Sequence, residues 1–131
     1  MLPDWHRALG EPLFSASIRE SPSDFVVDEV LDVEFSGDGE HDYLKVRKTA
    51  ANTHWVAERL ARHAGARIVD VGYSGRKDRH AVSTQWFSVA ARGAVDWTSY
   101  CDDGVEILVS APAAQTETAC RVLAACQRWY W

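Results

Sequence analysis

At 131 residues, 47% of them hydrophobic and 25% charged, the chain has the make-up of one globular domain, which can bury about two-thirds of the surface its unfolded form exposes. No apolar run approaches the roughly 20 residues of a membrane span, and residues 1–7 lack the basic start and apolar core of a secretory signal; a cytoplasmic protein with no membrane partner is expected. The net charge of −5 is uneven, with −9 in residues 1–44, +6 in residues 45–79 and −2 in residues 80–131.

Residues 1–11 read as irregular, with Pro3 and Gly10 as breakers. A short strand is expected at Ser15–Arg19. Ser21-Pro22-Ser23-Asp24 is turn chemistry. Residues 25–34 are rich in β-formers and read as a strand. Gly37-Asp38-Gly39 turns the chain, and residues 41–48 read as a second strand, so the two are expected to form an antiparallel hairpin. Asn52 or Thr53 can cap a helix. Val56, Leu60 and Ala64 fall on one face of it, Ala57 and Ala61 widen that stripe, and Gly65 is a C-terminal stop. Strands are expected at 67–73, 81–90 and 104–110, with a loop at 74–79. The order predicts an α+β fold, a mixed or antiparallel sheet with one main helix.

An acidic chain is not an obvious nucleic-acid binder, but the basic segment at 45–79 is a local clue to RNA. It is equally readable as a solvated face. The cysteines, Cys101, Cys120 and Cys126, are odd in number and form no Cys-x-x-Cys, which argues for reduced thiols and against a disulfide framework or zinc site. His41 and His54 have no ligand-like spacing, so no metal is expected. Trp5, Trp55, Trp86 and Trp97 read as core residues.

The loop Gly75-Arg76-Lys77-Asp78-Arg79 sets one carboxylate among three cations. Opposite charges favour the ionised form, and an ionised Asp without a fixed pairing can act as nucleophile or base. The same cations could hold phosphates. Read from charge alone, the loop is more readily a turn decorated with surface ion pairs of little energetic weight.

The stretch Gly75–Ser88 resembles the signature Gly-x-Lys-Asp-Arg-His-Ala-Val-(Ser/Thr)-x-Gln-Trp-x-Ser of the tRNA pseudouridine synthase D (TruD) family. Residues 22–29 resemble that family's Pro-Glu-Asp-Phe-x-Val-x-Glu segment, with Ser23 in place of the usual acid. Residues 37–41 resemble its Gly-x-Gly-Glu-His turn, and Asn52-Thr53 opens the helix as in the family. The resemblance covers about residues 1–108. It implies isomerisation of uridine-13 of tRNA to pseudouridine, with tRNA as partner and no cofactor or metal. It also implies Asp78 as the nucleophile, and Lys77 and Arg79 as residues that position phosphate or balance charge. Phe25 is implied to stack on the flipped-out base, although a core aromatic on a strand is an equal reading. His80 reads as structural or RNA-facing, and Thr84 and Gln85 as hydrogen-bonding supports of loop and strand.

Family members are more than twice as long. The family's continuation after residues 107–108 is basic, whereas residues 111–131 run Ala-Pro-Ala-Ala-Gln-Thr-Glu-Thr onward to Trp131. Reading suitable codons for this tail one nucleotide later restores a stretch close to the basic motif. The expectation is therefore residues 1–110 as the N-terminal part of the catalytic domain and 111–131 as an atypical tail, out of frame or truncated. Its partners are tRNA and, where the polypeptide ends at Trp131, a separately encoded C-terminal half. The rival functions are an inactive remnant with residual RNA binding only, and an unrelated small α+β interaction domain.

Overall fold

Asn52 begins the helix α1 (Thr53–Ala64), because its side-chain oxygen accepts the His54 N–H at 2.9 Å and satisfies one of the free donors of the first turn. Gly65, with φ of 63°, ends it, and its N–H and that of Ala66 close back on the last helical turn. Between these caps Val56, Ala57, Leu60 and Ala61 are buried in one stripe. Full burial of a residue such as Val56 or Leu60 contributes about 1.5–3 kcal/mol.

The computed structural model describes residue 10 and residues 13–31, 34–35 and 37–113. Among the described residues five strands accompany the helix: β1 (Val26–Asp28), β2 (His41–Thr49), β3 (Val71–Tyr73), β4 (Val82–Ala90) and β5 (Val105–Ala113). They form one sheet in the order β1-β4-β2-β5, with β3 also on β4. β2 is antiparallel to both β4 and β5, β3 is antiparallel to β4, and β1 is parallel to β4. The α+β class with a mixed sheet and one main helix is as the sequence predicts.

One face of the sheet carries Leu44 and Val46 from β2 and Phe87 and Val89 from β4, packed under α1 with Trp97 and Val105. The other face buries Tyr43 and Trp86 beneath Leu31 and Phe35, whose ring centroid lies 5.1 Å from each of those two rings. Trp86 and Trp97 are core residues as expected, Trp55 is half-buried, and Trp5 lies outside the described residues.

Three local expectations are corrected. Residues 15–19 form no strand and are exposed. Among the described residues of the 25–34 segment the strand is Val26–Asp28, and it does not pair with β2: β4 lies between them, so the hairpin is replaced by a parallel β1–β4 pairing across the sheet. The strand expected at 67–73 divides into a 3-10 turn at Ile68–Asp70, fixed by a bidentate Arg67–Asp70 pair at 2.8 Å, and the short β3. Alternation in a sequence identifies strands but not their partners. β5 continues through Ala113, past residue 110. Cys101 is free and exposed; Cys120 and Cys126 lie outside the described residues. No helix among the described residues is long and apolar enough to cross a membrane.

Candidate active site

Strands β1 and β3 share one edge of β4. β1 pairs with Val82–Thr84 and β3 with Phe87–Val89, so a gap opens beside Gln85 and Trp86. The chain leaving β3 at Tyr73 crosses this gap as the loop 74–81 before it enters β4. Gly75, with φ of 65°, makes the turn that starts the crossing.

A crossing loop has no strand ladder to satisfy its backbone, and here side chains do so. The Gln85 amide donates to the Ser74 and Gly75 carbonyls, each at 2.9 Å. The Thr53 hydroxyl accepts the Lys77 N–H at 3.0 Å and donates to Gln85 Oε1 at 3.4 Å. The Lys48 ammonium donates to the Asp78 carbonyl at 3.0 Å and to the Ala51 carbonyl at 2.8 Å. The loop is thus pinned to β4, α1 and β2 at once.

Asp78 sits at the crest, with its side chain 28% exposed. Its Oδ1 accepts the His80 N–H at 2.8 Å, an Asx turn that orients the carboxylate. Its Oδ2 accepts from Arg19 Nη1 at 3.1 Å. The three cations adjacent in sequence do not pair with it. Arg76 and Arg79 are exposed, and Arg79 borders an open cleft of about 600 Å³ with Thr49, Ala50, Asn52, Trp55 and Asp103.

Lys77 is turned inward, its side chain 2% exposed, and Nζ reaches the Ser74 carbonyl at 3.3 Å and Glu29 Oε1 at 3.8 Å. Of the two roles expected for Lys77, its place against Glu29 favours charge balance over phosphate contact. Glu29 Oε2 accepts the Trp86 N–H at 2.6 Å, in the gap that neither β1 nor β3 fills. Burial pushes the Glu29 carboxyl above the usual carboxylate range, with the Trp86 N–H and Lys77 pulling it back only in part.

Phe25 is buried with Val27 and Ala81, and the Arg19 guanidinium lies 4.8 Å from its ring centroid. The core placement and the neighbourhood of Asp78 therefore coincide at this residue. Arg19 was not singled out by the sequence; its only signal is that it stands as one of two cations, with Arg7, in the acidic first 44 residues. Lys48 was also missed. Its signal is phase, because it follows Leu44 and Val46 on the apolar face of β2. The basic segment as a whole is not one RNA-facing patch: Lys48 and Lys77 are buried, while Arg47, Arg59 and Arg67 pair with Glu106, Asp102 and Asp70.

Fold and site together define a mixed α+β domain that presents one oriented carboxylate on a loop locked to its core. The family model for tRNA pseudouridine synthase D (TruD) matches residues 7–114, and the chain belongs to that family. It is 50% identical over 107 residues to a tRNA pseudouridine synthase D of Methylococcus capsulatus, covering 80% of this chain and 30% of that protein. Against that of Cellvibrio japonicus it is 44% identical over 110 residues, covering 80% and 33%. The chain thus spans about a third of the length of the curated relatives it matches. A Methanosarcina mazei crystal structure described as a TruD protein shares the fold, with a TM-score of 0.66 at 21% identity, over 76% of this chain and 23% of that one.

Proposed function

We propose that the protein carrying this chain isomerises uridine-13 of tRNA to pseudouridine, with Asp78 as the nucleophile. The observation that carries this reading is the placement of Asp78. Within a TruD-family chain, it is the partly exposed carboxylate of a loop whose backbone is fixed from three sides. In the reaction the bond from ribose C1′ to uracil N1 breaks, the base turns, and a bond forms from C1′ to C5. C5 loses its proton and N1 gains one, so composition is unchanged and no oxidant or cofactor is consumed.

The target base leaves the RNA stack at a cost of a few kcal/mol. Phe25, whose ring the Asp78-paired Arg19 covers at 4.8 Å, is read as the aromatic that supports the base. Arg79, exposed beside the loop, takes backbone phosphate. Residues 1–110 are read as the N-terminal part of the catalytic domain and 111–131 as an atypical tail.

The test follows from the atom balance. A tRNA transcript tritiated at uracil C5 releases tritium only when pseudouridine forms, and a position-specific primer-extension stop locates it. The expected result is release by the wild-type protein, a stop at position 13, and no release by Asp78→Ala. Binding of tRNA without release would instead favour the RNA-binding remnant.

A further inference from the structure

We propose that Lys48 is a positioning residue of the Asp78 site, its ammonium fixing the peptide that carries the carboxylate to the junction of β2 and α1. This rests on the reading of Asp78 as the reacting carboxylate.

Lys48 occupies the face of β2 that Leu44 and Val46 devote to the core, and it is fully buried. Burying an ammonium there is costly unless its protons find acceptors. Two do, at the Ala51 and Asp78 carbonyls. Neither carbonyl takes another hydrogen bond from the described residues. One is next to the N-cap of the helix and the other is the peptide of the proposed nucleophile, so the bridge joins the rigid helix start to the crest of the loop.

The remaining restraints on Asp78 act on its carboxylate: Arg19, which is 45% exposed, and the His80 amide. An incoming anionic substrate can compete for Arg19. It cannot reach Lys48, whose bond is therefore the restraint that persists while the carboxylate reacts. Misplacing a reacting group by about 1 Å costs on the order of a hundredfold in rate, which sets the scale of the effect.

Lys48→Met keeps the volume and removes every donor; Lys48→Gln keeps a shorter polar group. In the full protein, Lys48→Met is expected to lower kcat at least tenfold, with KM for tRNA within twofold of wild type. The Lys77 and His80 amides are expected to exchange at least tenfold faster, and Lys48→Gln to fall between. A folded Lys48→Met with kcat within twofold of wild type, a loss confined to KM, or unchanged amide exchange overturns the proposal. Should Lys48→Met not fold, Lys48→Gln is judged by the direction of the same readouts, and wild-type values overturn the proposal. Should the wild-type protein release no tritium, the functional reading fails, and amide exchange alone decides whether Lys48 holds the loop.

Discussion

Arg19 and Asp78, 59 positions apart in the chain, meet as an ion pair of 3.1 Å at the crest of the 74–81 loop. The same guanidinium lies over Phe25, so one side chain links the proposed nucleophile to the proposed base-stacking aromatic. Arg19 adopts φ of 58°, a conformation that costs a non-glycine residue about 1–2 kcal/mol. Strain of this kind collects where geometry serves function.

Replacing Arg19 by Ala is expected to lower kcat/KM about tenfold to a hundredfold, the scale of one charge-assisted hydrogen bond of about 1.5–3 kcal/mol. Thermal stability changes little, because a half-exposed pair contributes about 1 kcal/mol or less. Steady-state tritium release and a melting curve on one preparation check both. An Arg19→Ala protein of full activity contradicts the assignment.

Gln85 closes the gap in the β4 edge with two donated hydrogen bonds. Gln85→Leu strands those carbonyls and is expected to cost about 1–3 kcal/mol. Gln85→Glu is expected to cost more, since it sets a carboxylate against two carbonyl oxygens. Urea unfolding midpoints with an unchanged slope rank the three proteins.

Lys77 and Glu29 form a buried pair, so removing one partner leaves the other uncompensated. Lys77→Met alone is expected to destabilise by about 3–5 kcal/mol. Lys77→Met with Glu29→Gln is expected to cost less than Lys77→Met alone, because the amide can still accept the Trp86 N–H without a buried charge. A double-mutant cycle in urea measures the coupling; additive costs would show that the two side chains do not interact.

Burial lowers the Lys48 ammonium to about 8, with Lys77 adding to the effect and Asp78 opposing it. Between that value and the 10.5 of the unfolded chain, the unfolded state binds more protons, so this group makes stability rise with pH. The gain between pH 7 and pH 10 is expected to be on the order of 2–3 kcal/mol from Lys48. Its signature is the difference in pH slope between wild type and Lys48→Met in urea titrations. Parallel slopes would show that Lys48 does not titrate differently in the two states.

The sequence by itself determined the family, the helix with its C-terminal stop, and the candidate carboxylate; the choice between Asn52 and Thr53 as N-cap came from the structure. These are local: capping and the 3.6-residue stripe act within a few residues, and the Gly75–Ser88 signature is contiguous. It also determined the α+β class, because alternation and turn residues mark strands wherever they pair. Only the tertiary structure decided which strands are neighbours. The β1–β4 parallel pairing joins segments 56 positions apart, and hydrophobic alternation carries no information about partners at that distance. The same holds at the site. The charge pattern set Asp78 among Arg76, Lys77 and Arg79, yet successive residues of an extended loop point in different directions. The fold buries Lys77 against Glu29, leaves the two arginines outward, and supplies Arg19 and Lys48 from elements distant in sequence.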